Sequence, residues 1–160
     1  MASKGTPAVS AAKAAGVEFR LLEYEYDPSA DAIGLHAAES LGLNPAMVYK
    51  TLVAQLDTKT LVCTVIPVAA RLDLKALAHA AGAKKADLAD PVAAERSSGY
   101  TVGGISPLGQ RKPLRTFIDS SAESLSEMVV NGGRRGLQIA LKPADLARAL
   151  KAVVCPIVTK

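Results

Sequence analysis

The chain has 160 residues, about the length of one globular domain, of which 49% are hydrophobic and 21% charged. Two cysteines do not make a disulfide framework, and two histidines without a CxxC pair predict neither a metal site nor a metal cofactor. Nineteen basic against fifteen acidic residues give a net charge of +4, a mild bias towards anionic partners such as a phosphate backbone.

The N-terminal stretch is rich in alanine but has no continuous apolar segment of the kind found in secretory signals. No run approaches the roughly 18 apolar residues that a membrane-spanning helix needs. We therefore expect a cytoplasmic chain without membrane contact. Residues 1–5 are expected to be disordered.

Helix and strand signals alternate irregularly along the chain. Thr6-Pro7 combines a capping side chain with a proline suited to the first helical position, and Gly16 can end that helix. Asp73 and Gly82 bracket another helix in the same way. The predicted helices are 7–15, 35–41, 73–81, 91–99 and 143–151, and the predicted strands are 19–24, 49–56, 61–67, 100–102, 114–118, 128–130, 137–141 and 153–154.

The order of these elements limits the fold class. Only the four residues 57–60 separate strands 49–56 and 61–67, so the two strands form an antiparallel hairpin. A purely parallel sheet would need a crossover between each pair of strands. The sequence therefore predicts one α/β domain over residues 1–160, with a mixed, mostly antiparallel, barrel-like sheet surrounded by helices.

Lys50 is the first candidate functional residue. It interrupts the apolar sequence Val48-Tyr49-Lys50-Thr51-Leu52 at the start of a predicted strand. One interpretation is an edge-strand lysine that discourages association between sheets. The other is a cleft lysine that meets a phosphate, a ribose oxygen or a developing oxyanion.

A glycine-rich loop is the second candidate. Residues 99–109 contain four glycines and a proline, so they cannot form a regular element. The pair Gly103-Gly104 allows positive φ and close approach of a ligand to the main chain, and successive N–H groups in such a loop can bind an anion. A plain connecting loop is the alternative interpretation. The loop lacks the GxxxxGK[ST] spacing of a nucleotide-binding P-loop.

Other features carry less information. The turn Asn131-Gly132-Gly133-Arg134-Arg135-Gly136 is typical of a hairpin, and its arginines could either meet phosphates or be solvated. Cys63 lies in an apolar run, which favours a buried thiol. His36 and His79 fall in predicted helices. The chain has no GxSxG or HExxH motif, so residue patterns alone do not name a reaction.

In order along the chain, several of these segments resemble the YbaK/EbsC family, near its Cys-tRNA(Pro) deacylase members. The resemblance extends from Thr6 to about Ala152. Each segment is weak by itself, but the ordered series is specific. The segments are Glu23-Tyr24-Glu25, Leu41-Gly42-Leu43-Asn44-Pro45, Val48-Tyr49-Lys50-Thr51-Leu52, Pro67-Val68-Ala69, Leu72-Asp73-Leu74-Lys75, Gly82-Ala83-Lys84-Lys85, Ala89-Asp90-Pro91, Thr101 to Gln110, Gly132-Gly133 and Arg135-Gly136-Leu137.

The resemblance implies an α/β fold shared with the editing domain inserted in some prolyl-tRNA synthetases, and it implies no cofactor. It implies hydrolysis in trans of mischarged Cys-tRNA(Pro), bound by its acceptor end, with prolyl-tRNA synthetase as a candidate partner. An apolar pocket separates near-isosteric groups by only about 10–200-fold, which explains the need for editing. The implied mechanism is substrate-assisted: the thiol of the bound cysteine attacks its own ester and leaves as a thiolactone.

The resemblance also implies roles for particular residues. Lys50 corresponds to the family's pocket lysine, expected near the terminal adenosine and the ester. The implied substrate-binding residues are Tyr24, Thr51, Gly103, Gly104, Ile105, Ser106 and Gln138. Related members often have Asp at the position of Gln138, and an amide brings no negative charge for the substrate ammonium.

Two alternatives stay open at this stage. The departure at Gln138 favours a deacylase for another small residue, such as Ala-tRNA(Pro). A tRNA-binding module without catalysis is the other. The presence of Lys50 and of the whole glycine-rich loop argues against the second alternative.

Overall fold

The computed structural model describes residues 5–27 and 33–159. The expected disorder of residues 1–5 therefore falls, apart from Gly5, outside the described residues. Within these ranges no helix has the length and apolar character needed to cross a membrane. The helices are α1 (Pro7–Ala14), α2 (Ile33–Ser40), α3 (Leu74–Ala81), α4 (Pro91–Ser98) and α5 (Pro143–Leu150), with 3-10 turns at Pro45–Met47 and Ser120–Ser124. The strands are β1 (Phe19–Glu23), β2 (Tyr49–Leu56), β3 (Leu61–Pro67), β4 (Ala86–Leu88), β5 (Thr116–Asp119), β6 (Met128–Asn131), β7 (Leu137–Leu141) and β8 (Val153–Cys155).

The strands form two sheets. A three-stranded antiparallel sheet has the order β1-β7-β6, and a five-stranded sheet has the order β4-β2-β3-β5-β8. In the larger sheet β2 pairs antiparallel with β3 and β4, whereas β5 pairs parallel with β3 and β8. The mixed, mostly antiparallel α/β class is confirmed. Neither sheet closes on itself, so "barrel-like" describes the arrangement only loosely.

A central core holds the two sheets together. Tyr49 and Val53 of β2 pack there with Met128, Val130 and Ile139 of the smaller sheet, beneath α1 and α5. A second cluster lies on the other face of the large sheet against α3, and a third lies between the smaller sheet and α2. Within the described part of the chain, one parallel bridge, Val48 to Val129, links the main chains of the two sheets.

Local sequence signals predict the positions of most helices and strands correctly. The hairpin strands have the predicted bounds, and Asp73 caps α3 through its carboxylate at 3.1 Å from the Ala76 nitrogen. The strand predicted for residues 100–102 is wrong. The Tyr100 N–H donates to Ser98 Oγ (3.1 Å) and the Val102 N–H to Glu95 Oε2 (2.7 Å). Side chains of α4 thus take the donors that a strand would use. The sequence reasoning also missed β4 and the 3-10 turn at Ser120–Ser124.

Candidate functional site

A cavity of about 550 Å³ opens where β2 runs between its neighbours. On the side away from β3, the strand touches β6 through the Val48–Val129 bridge and does not meet β4 until Ala54. All five residues between these points, 49–53, line the cavity. Successive side chains of a strand point to opposite faces, so a cavity lined by five in a row must follow the edge of the strand.

Lys50 lines this cavity. Among the described residues it has no ion-pair or hydrogen-bond partner, and its partial burial lowers the pKa of the ammonium. β2 lies between β4 and β3 in the large sheet and is not an outer strand, although its side away from β3 is open at Lys50. A half-buried cation without a counter-charge is costly unless a ligand or water meets it.

Two hydroxyl groups at the cavity also lack partners. Tyr24 Oη and Thr51 Oγ1 are buried and make no hydrogen bond to the described residues. The Tyr24 ring meets His36 edge to face, 5.9 Å between centroids, and burial raises the pKa of the phenol. The Gly136 main chain and, to a smaller extent, the Gln138 amide offset part of this shift in pKa, although neither makes a hydrogen bond of standard geometry with the hydroxyl. Each unsatisfied group costs roughly 1–3 kcal/mol, which favours a polar ligand in this cavity.

The charge of the cavity wall is one-sided. Among the described residues that line the cavity, Lys50 alone has a charged side chain, and none is acidic. Gln138, on β7 opposite Leu22, is only 4% exposed and presents a neutral amide. An ammonium group on a ligand would therefore meet neutral oxygen acceptors here instead of a carboxylate.

The opposite wall is built by the glycine-rich loop, and two side chains fix its peptide planes. The Val102 carbonyl accepts two bonds from the Arg135 guanidinium, at 3.1 Å (Nε) and 2.7 Å (Nη2). The Gly103 carbonyl accepts from Asn131 Nδ2 at 3.1 Å. The C=O and N–H of a trans peptide point in opposite directions, so the Gly103 N–H points away from Arg135. With its φ of 93°, the backbone of Gly103 would be strained by any other residue.

The arginines of the 131–136 turn bind protein groups. Besides its bonds to Val102, Arg135 stacks on Tyr26 at 5.1 Å from the ring centroid. Arg134 lies 3.5 Å from the Glu23 carboxylate. Both arginines thus join the loop walls to the end of β1, a role that neither of the two sequence-based interpretations anticipated.

Comparison with known proteins identifies the family. A model of the aminoacyl-tRNA editing domain matches residues 27–149. The chain belongs to the aminoacyl-tRNA editing domain family. EbsC of Enterococcus faecalis, named as a Cys-tRNA(Pro)/Cys-tRNA(Cys) deacylase, is 37% identical over 86% of this chain and 85% of its own length.

Two further relatives place this editing domain in context. The proline–tRNA ligase of Brachyspira hyodysenteriae is 33% identical over 53% of this chain but only 15% of the ligase. A solved structure described as a trans-editing enzyme for prolyl-tRNA synthetase superposes with a TM-score of 0.86 and 20% identity, over 100% of this chain and 99% of the other. At that identity the likeness shows the shared fold alone.

Most of the residues implied by the resemblance meet at the cavity of the editing domain. Six line it: Tyr24, Lys50, Thr51, Gly103, Ile105 and Gln138. Gly104 and Ser106 do not, so the expected contacts of these two with substrate find no support in the geometry.

These two residues shape the loop instead. A Cβ on Gly104 would lie 3.0–3.1 Å from the backbone of Arg134 and Arg135, and the Gly104 N–H donates to the Thr101 carbonyl at 2.8 Å. Ser106 is fully buried and its Oγ accepts from the Leu108 N–H at 3.2 Å.

Sequence reasoning missed Asn131 as a wall residue. The Asn-Gly turn signal marked the position, but it did not reveal that the side chain reaches Gly103.

The two thiols of the editing domain lie away from the cavity. Cys63 is buried as predicted, at 1% exposure, and burial raises its pKa to about 12. Burial also raises the pKa of Cys155. Neither cysteine lines the cavity, so the described residues offer no activated thiol beside Lys50.

Proposed function

We propose that this editing domain acts in trans as a deacylase that releases the amino acid from mischarged Cys-tRNA(Pro). Its family and its identity to EbsC over most of both chains support an aminoacyl-tRNA substrate. The observation that carries the proposal is Lys50, a half-buried lysine that lines a mostly apolar cavity and has no counter-charge among the described residues.

Lys50 would supply the positive charge that the reaction needs. The ester of an aminoacyl-tRNA stands beside a ribose and a phosphate, and its carbonyl oxygen gains negative charge as the bond breaks. A cation held in a partly dehydrated cavity interacts with such a charge more strongly than one in water. The Gly103 N–H, turned away from Arg135, would be a second donor to the same oxygen.

We assign the nucleophile to the substrate. The cysteine thiolate attacks its own ester carbonyl, a C–S bond forms, the C–O bond to the ribose breaks, and the released 3′-oxygen takes up a proton. The product is a thiolactone, which water opens to cysteine. The absence of an activated protein thiol at the cavity among the described residues supports this assignment. The protein then contributes positioning and charge stabilisation.

A second candidate is release of another small amino acid, such as alanine. It is favoured by Gln138, because a neutral amide stands at this buried position where related members often have Asp. Under either candidate the partner is the acceptor end of tRNA(Pro), prolyl-tRNA synthetase is a candidate associate, and the compartment is the cytoplasm, where tRNA is charged. We further propose that residues 1–160 act as one domain.

The test uses tRNA(Pro) charged with Cys, Ser, Ala or Pro and the pure protein. Cys should be released at least roughly a hundredfold faster than Ser, because a thiol with a pKa of about 8.5 ionises near neutral pH and a hydroxyl does not. For the same reason the rate with Cys should rise between about pH 6 and 8.5, since deprotonation creates the nucleophile. Equal rates for Cys and Ser would point to an activated water. Release of Ala alone would establish the second candidate, and binding without any release would show a non-catalytic module.

A further inference from the structure

The main chain of β2 presents hydrogen-bonding groups to the cavity. The Val48 carbonyl accepts from Val68, and the Leu56 N–H donates to Thr60, both at 2.9 Å, so even-numbered residues of β2 pair with the β3 side. The Val53 carbonyl accepts from the Ala89 N–H at 2.9 Å, on the opposite side. Backbone groups of alternate residues point to alternate sides of a strand. The N–H and C=O of Thr51 therefore both point away from β3, into the gap that the cavity fills.

Neither neighbouring ladder supplies Thr51 with a partner among the described residues. The register of β2 with β4 pairs Ala54 with Leu88. Continued for three residues, it would place Pro91 opposite Thr51. Pro91 has no N–H and begins α4, so it cannot complete the pair. At the other end of the same edge, β6 reaches only as far as the bridge from Val48 to Val129.

The surroundings of this edge restrict what can bind there. Leu88 and Val102 line the cavity and remain 56% and 42% exposed. Ala89 and Pro91 add apolar surface on the same side. A fitting ligand group is planar, with apolar faces for these side chains and a donor beside an acceptor along one edge. The Watson–Crick edge of adenine has this pattern: the 6-amino group donates and N1 accepts.

We propose that the main chain of Thr51 reads the terminal adenine of the tRNA. Its carbonyl accepts from the adenine 6-amino group and its N–H donates to N1, while Leu88 and Val102 contact the faces of the base. This inference rests on the proposed function, because an acceptor end brings a terminal adenosine next to the aminoacyl ester. It also gives a role to the open edge of β2 at Thr51, on the side away from β3.

Binding of an uncharged acceptor-stem hairpin RNA tests the proposal independently of catalysis. Four RNAs differ only in the terminal base: adenine, purine (no 6-amino donor), 1-deazaadenine (no N1 acceptor) and 7-deazaadenine (edge intact). Purine and 1-deazaadenine should each weaken binding roughly tenfold, as expected for one lost hydrogen bond. The 7-deazaadenine RNA should bind like the parent. Equal binding of all four would overturn the proposal, whereas a failure of the proposed deacylase would appear only in the release assay.

A main-chain substitution locates the contact. Replacing Thr51 by its α-hydroxy analogue converts the backbone N–H to an ester oxygen and keeps the side chain. In this variant the difference between adenine and 1-deazaadenine should disappear, because the donor to N1 is gone. Thr51→Val is the matched control: it removes Oγ1, retains the N–H, and should preserve the difference. If the ester variant is folded by circular dichroism and still distinguishes the two bases, adenine is bound elsewhere.

Discussion

The two walls of the cavity are held in place in different ways. The β2 wall is a strand within a sheet, fixed by regular pairing with β3 on one side and by its contacts with β4 and β6 at its two ends. The loop wall has no ladder. Its carbonyl groups at Val102 and Gly103 are held by the side chains of Arg135 and Asn131. The β2 wall carries the positive charge of Lys50, and the loop wall carries the backbone N–H donor of Gly103.

This contrast indicates a division of roles. A change on the strand wall that preserves pairing should alter chemistry without altering the fold, because the backbone there is held by many bonds. A change in the side chains that support the loop wall should alter the position of the Gly103 N–H while leaving both sheets intact. The experiments below separate these two kinds of effect.

The largest effect is expected on the strand wall. Lys50→Met keeps most of the apolar stem and removes the charge, so single-turnover deacylation of Cys-tRNA(Pro) should fall about 10²–10³-fold, the size typical for loss of one stabilising group at a developing oxyanion. The unfolding midpoint should not fall, because the substitution also removes a half-buried cation that has no counter-charge in the described structure. An active, well-folded variant would show that Lys50 has no catalytic part.

The same variant should also change how the free energy of unfolding depends on pH. Burial lowers the pKa of Lys50 below 10.5, so the unfolded chain binds this proton more tightly than the folded chain. The free energy of unfolding of the parent therefore gains a contribution that rises with pH between the lowered pKa and 10.5. Denaturant titrations over this range should show a smaller rise for Lys50→Met. Parallel profiles for the two proteins would mean that Lys50 is fully solvated.

An intermediate effect is expected on the loop wall. Arg135→Met removes both bonds to the Val102 carbonyl and frees the peptide plane that carries the Gly103 N–H. We expect kcat to fall about tenfold to thirtyfold with a small change in KM. A less precisely positioned Gly103 N–H stabilises the transition state less well but has little effect on substrate binding. Arg135→Lys should restore only part of the rate, because one ammonium cannot reproduce the two-bond contact.

The control for this prediction is Arg148→Met. Arg148 is an exposed arginine on α5 with an ion pair to Asp145, away from the cavity lining. It should retain the parent rate. If Arg135→Met loses no activity, or if its loss follows a drop in thermal stability that Arg135→Lys repairs completely, then the contact between Arg135 and Val102 is only structural.

The two walls also differ in how far the sequence predicts them. Strand β2 follows from the apolar run and from the turn at residues 57–60, and Lys50 stands out as the one cation in that run. The bonds of Arg135 and Asn131 connect residues about 30 positions apart. No local pattern encodes such contacts, and Arg135 could equally have been solvated. Likewise, the gap beside Thr51 depends on where β4 ends, and β4 itself was not predicted.

The smallest effect on activity is expected away from both walls. Cys63 pairs with Val53 across β2 and β3, and Gln110 Nε2 lies 3.7 Å from its sulfur, so it connects the large sheet to the end of the glycine-rich loop. Cys63→Ala leaves a small cavity and should cost about 1 kcal/mol of unfolding free energy, a fall in melting temperature of roughly 2–4 °C.

Its deacylation rate should match the parent at all pH values between 6 and 8.5, because a thiol with a pKa of about 12 is protonated throughout that range. Cys155→Ala provides the matched control on β8, where the thiol is less buried and the loss of stability should be smaller. A folded Cys63→Ala protein with a strongly reduced rate would assign the nucleophile to the protein. The loop end near Gln110 would then have to move towards the cavity during the reaction.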